Sequence, residues 1–232
     1  MLGLADATRA LHYDLEGPIH RSHGDSKPAI ILHFEKDGSS SFVIADLGVS
    51  SIHDQPITNQ RIGETMTRAT TRSYEAPEAF DDESKSRPRS RTYEIWSLGC
   101  VFLEFIIWLL YDFDVVKSFE HNRLDPHKNP HASFYELRDG TAVASEAVAK
   151  AIDALNDDSR LRDGSVLRPL VYLIADKLLV IHVEDRFDAK KLLSELQEIV
   201  QRAEQTLPNL LREADPPSSV PMIFSKGGNR NA

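Results

Sequence analysis

Residues 95–111 read IWSLGCVFLEFIIWLLY, an apolar run whose single charge is Glu104. A helix apolar on every side belongs either in a membrane or at the centre of a large core. The run sits at the short edge of a membrane span, carries a carboxylate near its middle, and has no Lys or Arg anchor close on its C-terminal side. Those features predict a buried core helix with the remaining elements wrapped around it.

Working outward, Leu4, Thr8, Leu11 and Leu15 recur at three- and four-residue spacing, which predicts a helix over 1–15 ended by Gly17-Pro18. Two short apolar runs, Ile30–Phe34 and Ser41–Ala45, flank the turn signal Lys36-Asp37-Gly38 and predict a β-hairpin. The chain is then polar and irregular to about Arg72, and a charged loop, DDESKSRPRSRTYE, leads into the central helix. Beyond it, Asp112–Pro130 mixes His, Asn, Asp and Pro without a period and reads as a loop. Three helical patterns come next, carried by Ala147–Leu155, Leu167–Leu179 and Leu192–Val200, the last with Asp188 as its N-cap. From about Leu207 the prolines and the ending KGGNRNA predict a flexible tail. No internal repeat is present. The fold class is mainly α with a small β-hairpin (α+β).

Composition narrows the function classes. The chain has 232 residues, a net charge of −9, 41% hydrophobic and 27% charged residues, values of a soluble globular protein. The acidic balance, with a pI near 5.5, argues against a nucleic-acid binder, and the start lacks the basic region of a secretory signal. One cysteine, Cys100, excludes an internal disulfide framework and fits a reducing, cytoplasmic or nuclear setting. His121, His127 and His131 include an i, i+4 pair, but Pro126 and Pro130 oppose a helix there, so they read as solvated rather than metal-binding. The basic run 85–91 comes after three acids and reads as a mixed-charge surface loop.

Five motifs carry chemistry by their order: His23-Gly24-Asp25-Ser26-Lys27-Pro28, then Asp46-Leu47-Gly48 after the hairpin, Ala76-Pro77-Glu78, Trp96-Ser97-Leu98-Gly99 on the apolar helix, and Asp185-Arg186 before the last helix. This set resembles the C-terminal lobe of the eukaryotic protein kinases of the serine/threonine type, without the N-terminal lobe. The resemblance covers 1–202, with a catalytic loop at 23–30, an activation segment at 46–78, a helical subdomain at 94–202, and the tail 203–232 outside it. It implies ATP and Mg²⁺ as cofactors and a protein as substrate or partner, an N-lobe-like partner among them, with no nucleic acid and no membrane.

The resemblance also implies roles. Asp25 accepts or orients the proton of the attacking hydroxyl, and Lys27 places a cation beside the transferring phosphoryl group. Asp46 holds Mg²⁺ on the nucleotide phosphates, since a hard cation takes oxygen ligands. Thr71 sits beside the catalytic aspartate and marks Ser or Thr hydroxyls as substrates. Glu78 and Arg186 pair to tie the substrate-binding segment to the lobe. His23 is a packed scaffold residue and Trp96 a core residue.

Four departures from the family pattern bear on activity. Gly24 stands where an arginine reads activation-loop phosphate, so switching by loop phosphorylation is not expected. Ile30 replaces the asparagine that ligates a second Mg²⁺ and has no side-chain oxygen. Glu94 replaces an aspartate at the start of the central helix: a carboxylate is retained but one methylene longer, which puts its contact with the catalytic-loop backbone in question. No lysine precedes Lys27, and none of the 11 glycines forms G-x-G-x-x-G, so the chain carries no phosphate-covering loop. Two readings result: a catalytic half whose N-lobe lies elsewhere, with weak or absent turnover here, or a pseudokinase kept as an interaction module.

Overall fold

The computed structural model describes residues 1–14, 20–36, 39–45, 51–53, 72–80, 90–162, 165–210 and 221–224. Its first helix, α1 (Leu2–Tyr13), buries Leu4, Ala5, Thr8 and His12. Leu11 of the expected face is only partly covered, and Leu15 lies outside the described residues. The central helix, α2 (Arg91–Leu110), starts where the Ser90 side chain accepts from the Tyr93 amide at 3.3 Å. Its 20 residues reach about 30 Å, and Tyr93 to Leu103 are buried without a break. Among the described residues it is the one helix long and apolar enough to cross a membrane, and 78% of its most apolar window is covered by the rest of the protein. The chain around it supplies that cover, as expected of a core helix.

Close approach to α2 depends on Gly99. A methyl group there would lie 2.8 Å from Cβ of Leu178 and 3.0 Å from Cδ2 of Leu179. Those leucines belong to the expected second helical pattern, which forms as α5 (Arg168–Leu173) continued by a wider π turn over Ile174–Leu178. At its other end α2 is closed by side chains. Arg160 donates to the Leu110 carbonyl, one of the orphan acceptors of a helix terminus, and is held by Asp158 at 2.8 Å. Asp158 also accepts from the Tyr111 hydroxyl at 2.7 Å.

The expected hairpin forms from β2 (Ile31–Lys36) and β3 (Ser39–Ile44), registered from Ile31↔Ile44 to Lys36↔Ser39. A second antiparallel pair joins β1 (His20–Ser22) to β4 (Ser51–His53). Of the later helical patterns, α4 (Glu146–Asp157) and α6 (Ala189–Leu210) form where periodicity placed them. Asp188 caps α6 as expected, accepting from the Lys191 amide at 2.8 Å.

Three stretches differ from expectation. Within the supposed loop 112–130, Phe113–Arg123 forms helix α3, started by Asp112, whose carboxylate accepts from the Val115 amide at 2.8 Å. Its buried stripe of Val115, Phe119 and Arg123 is narrow and ends in a charge, which conceals the helical period. A further hairpin, β5 (Tyr135–Arg138) with β6 (Thr141–Ala144), turns through Asp139 and Gly140, both at positive φ. Asp-Gly suits such a turn because both residues tolerate the left-handed region. Finally, of the tail expected over 203–232, residues 203–210 continue α6 and Pro221–Phe224 folds back with Phe224 buried. One aromatic anchor outweighs the proline-rich composition around it.

Two measurements check this packing. Gly99→Ala is expected to lower unfolding free energy by ~1–3 kcal/mol, the range for overpacking a tight core contact, read from the urea midpoint. Burial alone would raise the Asp158 carboxyl, but Arg160 and the Tyr111 hydroxyl hold it below the usual carboxylate range. A depressed folded-state value contributes stability above the unfolded value of about 3.9, lost as pH falls further. Acid titration of the thermal midpoint should therefore fall below about pH 4, and Asp158→Asn should flatten that limb.

Candidate functional site

Glu94, in the first turn of α2, is 1% exposed, and a carboxylate so placed has to accept its hydrogen bonds from the protein. One oxygen accepts from the backbone amides of His23 and Gly24, the latter at 3.1 Å, and the other accepts from Nε2 of His12 on α1. The extra methylene that put this contact in question therefore does not prevent it. Gly24 has φ 78°, a conformation glycine adopts without steric cost. The loop after β1 is thereby pinned at its first two residues to the start of the core helix.

From these pins the rest of the loop takes its course. The His23 ring is buried and donates from Nε2 to the Ala45 carbonyl at 2.9 Å, so it joins the loop to the end of β3. That bond suits a scaffold residue. Asp25 and Lys27, one residue apart on either side of buried Ser26, come together with Nζ donating to Oδ2 at 2.7 Å. The Asp25 side chain is only 8% exposed and that of Lys27 is 22% exposed. Pro28 opens a short 3-10 turn to Ile30, which is buried, and whose carbonyl accepts from the Ala45 amide at 2.8 Å.

A second polar cluster fixes residues 72–80. Arg186 meets Glu78 through both guanidinium ends, at 2.8 and 3.1 Å. It also donates to the carbonyls of Thr92 and Val180, and its charge lies 5.2 Å from the centre of the Trp96 ring. The arginine side chain has no exposure while that of Glu78 keeps 24%, so the pair spans from core to surface. Trp96 is buried, as expected of a core residue.

Sequence reasoning missed a third group, Tyr74, Glu104 and Arg123. The Tyr74 hydroxyl donates to Glu104 at 2.8 Å, and Arg123 donates to the other oxygen at 2.9 Å. Burial pushes the Glu104 carboxyl upward while Arg123 and Tyr74 pull it back, and burial beside Glu104 raises the Tyr74 hydroxyl well above its ordinary value. Arg123 is further held between the Phe119 and Phe134 rings, 4.1 and 4.0 Å from their centres. The available signal was Glu104 itself, since a carboxylate inside an apolar helix requires a partner. Its partner lies on α3, the helix that periodicity did not reveal.

Beside Lys27 opens a cleft of about 640 Å³, within the size of small-molecule sites. Leu4, Phe42, Phe105 and Trp108 give it largely apolar walls, with Lys27 and Glu104 among its polar groups. Asp46 and Thr71, the expected metal ligand and the expected threonine, lie outside the described residues. The side chain of Ile30 is carbon alone, and among the described residues no group of three His, Cys, Asp or Glu could hold a metal. His131, one of the three histidines read as solvated, meets Arg72 at 3.0 Å.

Against known proteins, the chain is 29% identical over 85 residues to the calcium/calmodulin-dependent protein kinase type 1 of Caenorhabditis elegans. The enzyme of the same description from Caenorhabditis briggsae matches equally over 85 residues. Each match takes in 37% of this chain and spans a fifth of the relative's length. No protein-family model matches the chain. The relationship is kinase-like.

Removing the Glu94 carboxylate strands two amides and an imidazole. Glu94→Ala is expected to destabilise by about 3 kcal/mol or more, at ~1–3 kcal/mol for each unsatisfied buried group. Glu94→Asp, too short to reach both α1 and the loop, should fall between. Urea unfolding followed by circular dichroism measures both.

Proposed function

We propose that this chain is a serine/threonine protein-kinase-like lobe with a proton-accepting aspartate at 25, a phosphate-facing lysine at 27, and weak or absent turnover. One observation carries the reading: Asp25 and Lys27 meet at 2.7 Å on a loop whose amides are fixed by buried Glu94. Such a loop holds a carboxylate and an ammonium in one place without further ordering on substrate arrival, which is the form of positioning phosphoryl transfer depends on.

In this proposal a Ser or Thr hydroxyl oxygen of a protein attacks the γ-phosphorus of ATP, forming the new O–P bond as the bond to the departing nucleoside diphosphate breaks. The hydroxyl proton passes to the Asp25 carboxylate. Lys27 donates to a phosphoryl oxygen as negative charge moves toward the leaving group. Thr71 beside Asp25 and Asp46 as Mg²⁺ ligand enter from the kinase resemblance. The Glu78–Arg186 pair supports the reading by holding the Ala76-Pro77-Glu78 segment against the lobe.

Ile30 favours a second reading. A buried isoleucine at the place of a metal-binding asparagine suits a lobe kept for interaction rather than turnover.

Transfer of radiolabelled phosphate from Mg²⁺·ATP to casein, with phosphoamino-acid analysis, tests the proposal. The expected result is slow labelling confined to Ser and Thr, reduced by ~10²-fold or more in Asp25→Asn. Labelling that persists undiminished in Asp25→Asn would overturn the assignment of Asp25. Absence of both transfer and any Mg²⁺·ATP-dependent thermal shift would leave the interaction reading in its place.

A further inference from the structure

Four residues near the C-terminus make an unusual return to the body. After Pro221, Met222–Phe224 forms a single 3-10 turn, closed by the Phe224 amide donating to the Pro221 carbonyl at 2.9 Å. Phe224 is 1% exposed. Its ring lies 5.3 Å from that of Tyr111 and 6.2 Å, edge-on at 84°, from that of Phe119. The Asn122 side chain donates to the carbonyl of Ile223, and Ile223 packs against the core beside its neighbour. The recess that receives the turn is formed by α3 and α4.

This is how a folded surface takes a short linear peptide: one aromatic anchor in a desolvated slot, a second apolar contact, and one backbone carbonyl captured by a side-chain amide. Tyr111, the C-cap of the core helix, adds its ring to the recess, so the turn also meets the end of α2. We infer that the recess between α3 and α4 is a docking site for short peptide turns carrying an adjacent Ile-Phe pair, and that Pro221–Phe224 is its resident ligand, bound in cis. A partner peptide of the same chemistry gains the site by displacing the chain's own turn. The inference stands apart from the phosphoryl-transfer reading.

Tethering sets how strongly the resident turn competes. A ligand on a short linker presents itself at an effective concentration on the order of 1 mM. If the free peptide binds with a Kd on the order of 100 µM, the cis turn weakens its apparent affinity by roughly tenfold.

The test uses the full chain and a fluorescein-labelled peptide, SVPMIFSK, the sequence of residues 219–226. Fluorescence anisotropy should show the peptide binding to the Phe224→Ala chain roughly tenfold or more tighter than to the wild type. A peptide with alanine in place of its phenylalanine should not bind either. Ile223→Ala, which keeps the aromatic anchor, serves if Phe224→Ala fails to fold; it should bind the peptide more tightly than the wild type does. No binding to a folded variant, or binding equal to the wild type, overturns the inference.

Discussion

A carboxylate with 1% of its surface exposed constrains everything near it. Glu94 reaches α1 through His12 and the Asp25 loop through two amides, so three separate pieces of chain meet at one side chain. Its desolvation is tolerable only with every partner in place. The loop that carries Asp25 and Lys27 therefore takes its position from the core, and the packing of the first turn of α2 decides where the candidate site lies.

The same logic recurs along the helix. Glu104 is neutralised by Arg123 and bonded by Tyr74, and Arg186 joins Glu78 across the N-terminal turns. Each pair draws one partner from a segment that apolar contact alone would hold loosely: residues 72–80 in two cases and α3 in the third. Hydrophobic burial is non-directional, whereas hydrogen-bonded ions admit few geometries, so these groups set how the segments sit on a uniformly apolar rod. Arg160 performs a related task at the C-terminal end, where it satisfies the Leu110 carbonyl.

The kinase-like relationship and the candidate site bear on each other through these ties. Gly24 and Glu94 both depart from the pattern that the resemblance sets, yet they fit one another: glycine takes the left-handed turn and the longer acid reaches its amide. Ile30 has no such compensation within the described residues, being simply buried. The loop is thus tied to the core at Gly24, while at Ile30 it presents a side chain without a polar atom.

By itself the sequence determined the elements whose causes are local. The apolar run around Trp96 and the capped periodic helix after Asp188 could be placed because neighbours three and four residues apart share a face. The short distance from Asp25 to Lys27 likewise made their meeting legible. Asp139-Gly140 was an equally local signal, though the flanking Tyr135–Arg138 and Thr141–Ala144 are too short to announce strands. What only the tertiary structure decided are the long-range pairs that no motif announced: His12 with Glu94, Arg123 with Glu104, Asn122 with Ile223. An arginine or histidine in isolation reads as solvated, since nothing local tells whether a partner far along the chain will reach it. That outcome rests on how the helices pack, and packing is settled by the whole core at once.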